Sequence, residues 1–570
     1  MTTATMRRAR RGLGLLTSLA LATGLVGLGA TAGGAAQADG TGPQPPGVGR
    51  GSKAALAQET CDPATKRTSF VYVGTGPLCV NPWPDGKDNG GATATGVTAT
   101  DVKVVVYQPN ASMVAAQQAS GQQTPRNQAS GEPTTNDKVI VDFDAIYKYA
   151  TETYGTYQLW GRTPVYEFVT ASGTDETAQR ADALEVVAKK PFLVIDTSDP
   201  VIGADVFSAT VAGRKTLVVS ASTTPETAAQ QRPYRWILGQ DRGAAAYLSA
   251  DFVGRSLAGE KARWAGDESM TSKTRSIGVI YPKTGIDLDA FREVLRESGK
   301  AQVTEAVEYD NSDQTKFEEL APPYVTKLKT SGVTTVVLLA EPNMVGALMA
   351  AATSQEYSPE WIITGYAFHD FDGFPRGWDE EQMKHAFGTG ALPPVYEGTT
   401  STTGLFDWYW GKEQGNNSQA LQSVVGFIYA AIQNAGPKLT AKNVEKGFFA
   451  VPAAGGAADG TTNFQSGYGR TVRLPYDEYG SPGTDRNLAW WNPDITGGAN
   501  AVASIVGKGK FVYLDDAKRY AFGEFPDKQP KFFDESVSVA EVPRSSAYAN
   551  GVLPEPNLCT GCPVNGGSGA

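Results

Sequence analysis

Histidine is nearly absent: 570 residues contain two, His369 and His385. A histidine-rich metal centre is thereby excluded, and histidine-based catalysis has only two candidates. Basic charge is also scarce. There are 50 Lys and Arg against 60 Asp and Glu, for a formal net charge of -10. Nucleic acid and anionic membrane surfaces both demand a dense basic face, so neither is expected as a partner. Beyond the N-terminal region no apolar run approaches the ~20 residues that span a bilayer. Catalytic signatures are missing as well. There is no G-x-S-x-G elbow, no G-x-x-x-x-G-K-[ST] phosphate loop, no G-x-G-x-x-G after a strand and no H-E-x-x-H. His369 and Asp370 adjoin in sequence, but a base and its orienting carboxylate rarely sit side by side. Any two acids can meet in space, so a carboxylate pair of the glycoside-hydrolase kind stays open at this point. What remains is 41% hydrophobic and 19% charged, the balance of a folded globular chain. The length allows several domains. No metal and no cofactor is expected.

The chain opens on a basic cluster, Arg7, Arg8, Arg10 and Arg11, followed by an apolar stretch from Leu13 to Leu28 and then Ala36-Gln37-Ala38. This is the layout of a secretory signal peptide with an A-x-A cleavage site. Its Gly and Ala content favours cleavage after Ala38 over an uncleaved anchor. A twin-arginine reading of Arg10-Arg11 lacks the residues that usually follow. A secreted, extracytoplasmic protein of the cell envelope is expected.

Four cysteines, Cys61, Cys79, Cys559 and Cys562, are an even number, as in disulfide-bonded exported chains. None lies near the cleavage region, so this is not a lipoprotein signal. Of three possible pairings, Cys61–Cys79 and Cys559–Cys562 are favoured, because both close short loops. A C-x-x-C is also found in redox centres and as half a zinc site. Here it lies in a Pro- and Gly-rich tail without a second ligand pair, and a structural disulfide is expected.

After a flexible leader and a turn-rich extension, the pattern becomes regular at Asp101. Val102–Tyr107, Val165–Val169, Phe192–Ile195 and Thr216–Val219 read as strands, with helical spacing between them. The polar stretch 110–137 interrupts the series. After residues 259–275 the alternation restarts with Ile277–Tyr281, Val303–Val307, Val336–Ala340 and Trp361–Ile363. A helix between the second and third of these is expected to bend or break near Pro322-Pro323. Such alternation implies α/β architecture: two doubly wound parallel-sheet lobes joined by a hinge, with a central ligand cleft. Ligands of parallel sheets bind beyond the carboxyl ends of the strands. That rule selects the loops after Tyr107, Val169, Ile195, Val219, Tyr281, Ala340 and Thr364.

Two of those loops, Asp196-Thr197-Ser198-Asp199-Pro200 and Ser220-Ala221-Ser222-Thr223-Thr224-Pro225-Glu226, bring hydroxyls and free N–H groups to a helix start. The arrangement suits a carboxylate or another anion. It equally suits plain N-capping. The second series contributes Tyr281, Lys283, Thr284, Glu341, Tyr366, Phe368, His369 and Asp370. Glu341 or Asp370 is placed to pair with a ligand ammonium and the aromatics to form apolar walls. The plainer reading is solvated loop charges and core aromatics.

Several segments together resemble the type I periplasmic-type solute-binding proteins, the branched-chain amino acid and amide group that serves ABC transporters. Gly96–Val104 is similar to that family's opening strand, and Val218–Glu226 to its loop of the type I-S-P-x-A-T-x-P-E. Ser276–Tyr281 resembles the first strand of its second lobe, and Leu339–Met344 a later loop that enters the cleft. Ser423–Ala431 with Ala441–Phe449 resembles its late helix pair, and Asn487–Trp491 its closing strand. The resemblance covers roughly 96–525. It implies a monomer that binds a small solute by hinge closure, with an ABC permease as partner. It places Ala221 and Thr223 at the ligand carboxylate, Thr197 or Ser198 in the preceding crossover, Thr284 or Gly285 in the second lobe, and an ammonium-binding acid near Tyr366–Asp370. With Tyr107, Ser222, Tyr281 and Glu341 from the loops, these residues are the expected ligand site.

The implied domains are a signal peptide at 1–38 and a leader with a disulfide-tied extension at 39–97. Lobe 1 takes 98–242 and 371–445, lobe 2 takes 243–370 and 446–540, and an irregular tail takes 541–570. The chain departs from the family in lacking a lipid-attachment cysteine and in the 110–137 excursion. A sensor or scavenger without a transporter, and a secreted hydrolase, are the alternatives.

Overall fold

A computed structural model of the chain describes residues 49, 51–58, 61–62, 66–68, 78–110, 159–198, 206–220, 223–237, 242–311, 316–397, 427–450, 455–463, 465, 467–469, 472–473, 476–480, 483–500 and 502–547. The signal-like segment, the 110–137 excursion beyond Asn110, and Cys559 and Cys562 lie outside them.

The first sheet has five strands: β1 (Asp101–Gln108), β2 (Thr163–Thr170), β3 (Leu193–Asp196), β4 (Leu217–Ser220) and β5 (Arg235–Ile237). All its pairs are parallel, in the order β2-β1-β3-β4-β5. Neighbouring side chains of a strand point to opposite faces, and here both faces are covered. Val102, Val104 and Val106 enter a core with Leu193, Leu217, Trp236 and Phe448. Val105 and Tyr107 enter another with Val186, Phe207 and Val211. This double burial is why β1 reads as an unbroken apolar run. The helices α1 (Glu176–Ala188), α2 (Val206–Gly213) and α3 (Pro225–Gln230) link the strands.

The second lobe repeats the plan. β6 (Ile277–Pro282), β7 (Val303–Tyr309), β8 (Thr335–Leu338), β9 (Glu360–Ile363) and β10 (Ala386–Gly390) are parallel, in the order β7-β6-β8-β9-β10. The helices α4 (Arg242–Phe252), α5 (Leu288–Gly299), α6 (Phe317–Thr330) and α7 (Pro342–Ser354) cover it. Val336 and Leu338 face one core, Val337 and Leu339 the other. α5 forms where its sequence demands: Asp287 accepts from the N–H groups of Asp289 and Ala290, and Phe291, Val294 and Leu295 are buried on one stripe. α6 runs through Pro322 and Pro323 as one helix. Both prolines are exposed, so the carbonyls deprived of a donor are left to water. An antiparallel extension, β11 (Asp485–Ala499) and β12 (Val502–Leu514), joins the sheet at β10.

Two boundaries differ from the sequence reading. The segment from 371 stays with lobe 2, because β10 pairs with β9. Its sequence, Ala-Phe-Gly-Thr-Gly, has too few branched residues to announce a strand. The return to lobe 1 falls between 397 and 427. Past 445, Phe448, Tyr468 and Tyr479 still pack around Trp236 of lobe 1. The chain re-enters lobe 2 at β11. Residues 427–435 and α8 (Ala441–Phe449) are helical as expected. They cross at Gly447, where a Cβ would lie 2.0 Å from the Ala431 carbonyl oxygen, so only glycine fits.

The N-terminal extension is tied by the Cys61–Cys79 disulfide. Arg162 secures it to lobe 1, donating to the carbonyls of Asn89, Gly91, Thr98 and Pro437 at 2.7–3.1 Å. Among the described residues no helix is long and apolar enough to cross a membrane.

Candidate functional site

Both sheets share one strand order: the first strand lies between the second and the third. The direction of winding therefore reverses between the first and third strands, and in such sheets ligands bind beyond the carboxyl ends at that point. In lobe 1 the reversal lies between β1 and β3, in lobe 2 between β6 and β8. The loops leaving β3, β6 and β8 hold Thr197, Ser198, Thr284 and Glu341. Tyr107 and Tyr281 lie near the ends of β1 and β6, and the other expected site residues follow β4 and β9.

At the lobe 1 edge the loop after β3 is tightly bonded. Asp196 accepts from the Ser198 N–H (3.0 Å) and hydroxyl (2.7 Å), and from the Ser208 hydroxyl (2.7 Å). Burial pushes its carboxyl above the usual range, against the hydroxyl bonds and the pull of Arg235. Thr197 donates its N–H and its hydroxyl to the Tyr107 carbonyl, each at 2.9 Å. Both hydroxyls thus donate inward and present oxygen lone pairs only. The Tyr107 side chain points elsewhere. Its ring stacks on Phe207 at 3.6 Å and its hydroxyl donates to Asp182 at 2.7 Å, under the helices. Its contribution at the edge is its carbonyl.

The loop after β4 divides its tasks. Thr224 is the cap of α3, its hydroxyl accepting from Thr227 N–H at 3.1 Å, with Pro225 in the first turn. Thr223, one residue earlier, is buried. Ala221 and Ser222 lie outside the described residues.

At the lobe 2 edge, Thr284 is exposed and donates to Asn311 at 3.0 Å. Tyr281 is half-buried and its hydroxyl reaches Glu308 at 3.4 Å. Burial and the Glu308 charge raise its phenol. Glu341 precedes α7 without capping it. Its carboxylate accepts from the buried Tyr309 hydroxyl, and its other oxygen stands 3.9 Å from Arg242 Nη1. The Arg242 guanidinium lies 5.5 Å from the centre of the Tyr366 ring. Tyr366 is fully buried, which raises its phenol against the pull of the Arg242 side chain.

The loop after β9 is strained. Gly365, Ala367 and Phe368 all have positive φ, a cost that tends to collect at functional sites. His369 holds it. Its Nε2 accepts from the N–H groups of Thr364 (2.9 Å) and Gly365 (3.1 Å), so the proton sits on Nδ1, which donates to the Ala340 carbonyl at 3.1 Å. Burial pulls the imidazole down to about 3. It is therefore a neutral clasp between the loops after β8 and β9. Asp370 turns inward and accepts from Leu392 N–H at 2.8 Å. Burial raises its carboxyl, opposed by that bond and by Arg486.

The structure thus brings Glu341 and Tyr366 together with two residues the sequence reading did not select, Arg242 and Tyr309. Arg242 had a legible signal: it is a charged residue at the junction between the two alternating series. Tyr309 had none, lying past the expected end of its strand. Among the described residues no group of three or more His, Cys, Asp or Glu is arranged to hold a metal ion.

No family model matches the sequence, and no curated protein does. The solved structures with a similar chain path are solute-binding proteins of ABC transporters and related periplasmic binding proteins. One is the solute-binding protein from Rhodopseudomonas palustris in complex with 4-hydroxybenzoate, at 12% identity and a TM-score of 0.44, covering 76% of this chain and 100% of that one. Another is a periplasmic binding protein from Burkholderia mallei, at 11% and 0.44, covering 69% and 90%. A third is a fatty acid ABC transporter substrate-binding protein from Thermomonospora curvata, at 13% and 0.41, covering 75% and 95%.

Proposed function

We propose that this chain is an exported solute-binding protein that captures a small molecule between the carboxyl edges of its two sheets and delivers it to an ABC importer. The observation that carries this reading is the repeated switch point: two sheets of one strand order, each with its crevice lined by polar loops, on lobes between which the chain crosses three times. In this reading Thr197, Ser198, Ala221, Ser222 and Thr223 receive the ligand from lobe 1. Thr284, Glu341 and Tyr366 receive it from lobe 2, with Arg242 beside them and Tyr281 at the rim. Tyr107 and Asp370 support the loops from behind. A ligand that touches both edges binds the closed form better and shifts the population toward it. The process is non-catalytic: His369 is spent on backbone bonds and is neutral. The solute is an amino acid, an amide or a small carboxylate. The signal peptide is removed after Ala38, and the protein acts as a monomer outside the cytoplasm.

Small-angle X-ray scattering with and without candidate solutes tests the reading. A solute that binds should shrink the radius of gyration. Binding shown by calorimetry with no change in dimensions would remove the closure mechanism, and turnover of the bound molecule would remove the non-catalytic assignment.

A further inference from the structure

Resting on that reading of the cleft, we infer that Arg486 is a positioning residue: it ties the third crossing between the lobes to the ligand loop after β9, so that the loop follows the crossing. Arg486 is the second residue of β11, where the chain re-enters lobe 2, and it is fully buried. Its Nη1 donates to the carbonyls of Gly483 (2.7 Å) and Asp485 (2.8 Å), where the crossing ends. Its Nε donates to the Thr364 carbonyl at 3.3 Å, directly after β9. One guanidinium thus holds both segments.

Thr364 is the root of the strained loop. Its N–H donates to His369 Nε2 at 2.9 Å. Its hydroxyl donates to the Leu338 carbonyl at 2.7 Å and accepts from the Tyr366 N–H at 3.2 Å. With Arg486 on its carbonyl, every polar atom of Thr364 is engaged. Positive φ at Ala367 and Phe368 persists only where the surroundings over-determine it, and Arg486 is the grip that comes from the crossing.

This guanidinium is a costly choice for packing alone. Asp485 spends its carboxylate on Arg519 (2.8 Å) and on the Ala457 N–H (2.7 Å). Asp370 and Asp485 act on Arg486 from beyond ion-pair distance, and burial pulls its pKa down. For stability, apolar side chains often serve as well as buried charges. They cannot hold three carbonyls of two segments at once. Arg519 grips the same residue, its Nη2 donating to the carbonyls of Asp485 (3.0 Å) and Ala391 (3.1 Å). Among the described residues Arg486 Nη2 and Arg519 Nη1 are buried without a partner. A fork with a spare donor can exchange carbonyls as the crossing turns without letting go.

Hydrogen exchange of the ligand-free protein, read by mass spectrometry, tests this. Gly483 has φ +98, and a Cβ there would lie 3.4 Å from Arg486 Nη1, so Gly483→Ala disturbs the crossing at the fork. That substitution should speed exchange across 364–370 several-fold in the wild type and add little in an Arg486→Met background. Arg486→Lys, which keeps the charge and a donor, should retain part of the coupling. Arg519→Met frees the same Asp485 carbonyl without touching Thr364, and should leave the effect of Gly483→Ala on the loop in place. Unchanged exchange in β8 checks that the variants fold; if Arg486→Met does not, the cycle is run on Arg486→Lys. A purely structural arginine gives equal effects of Gly483→Ala with and without Arg486. That result, or a loop unmoved by Gly483→Ala, overturns the inference while the cleft reading stands. A protein that binds no solute removes the cleft reading and the inference with it.

Discussion

Thr223 and Thr224 are adjacent hydroxyls with different work. Thr224 caps α3, so Thr224→Ala should cost about 1 kcal/mol of stability and leave ligand affinity nearly unchanged. Thr223 is buried at the lobe 1 edge. Thr223→Ala should weaken ligand binding by about 1–2 kcal/mol, the scale of one hydrogen bond to a charged group, and leave the ligand-free melting temperature in place. Chemical denaturation and calorimetry on the two variants separate these outcomes; the reverse pattern would move the site off this loop. The sequence showed a hydroxyl-rich helix start. It did not show which hydroxyl the first turn would use, because that depends on backbone angles at one residue.

His369 carries a pH prediction. Its imidazole is held at about 3 in the folded protein, against ~6.5 when unfolded. The unfolded chain therefore binds the extra proton first, and this residue's contribution to stability falls as pH drops from 6.5 toward 3. His369→Gln removes that dependence. Measured by urea unfolding, the stability gap between wild type and variant should narrow by about 1.4 kcal/mol per pH unit below 6.5. Buried Asp370 and Asp372 titrate in both proteins and cancel in the comparison. A gap that does not change with pH would contradict the clasp. From sequence, His369 read as a weak catalytic candidate beside Asp370. Only the fold shows that its ring faces two backbone N–H groups.

At the scale of elements, the strands legible in the sequence are those buried on both faces, such as β1 and β8. Their continuous Val, Ile and Leu runs follow from packing on two sides. β5 and β10 were missed for different reasons: β5 is three residues long, and β10 carries two glycines and no β-branched aliphatic residue. The second sheet is also pinned at its amino-terminal edge by Arg275 and Glu360, both fully buried, with Thr335 donating to the same carboxylate at 2.7 Å. Arg275→Met strands a buried charge and should cost about 3–5 kcal/mol. Adding Glu360→Leu should recover much of that loss. Guanidinium unfolding of both variants checks the pair, and a double variant no better than the single would show that packing, not charge, is what Arg275 supplies.

For the molecule as a whole, the alternating series made the two lobes legible, and the carboxyl-edge rule placed the loops. The chain's later crossings were not legible, because they occur in segments without strong periodicity. Arg242 was marked only by its place at the junction of the two series; its contacts with Glu341 and Tyr366 join segments far apart in the chain. The central claim is that the paired edges bind a small solute. Its most direct test is a thermal-shift titration of the protein against amino acids, amides, short-chain acids, aromatic acids and sugars. A solute that binds only the folded chain stabilises it by ~2.7 kcal/mol at a hundredfold excess over Kd. The account predicts a concentration-dependent rise in melting temperature for one solute class. A melting temperature unmoved by every class at millimolar concentration would contradict it.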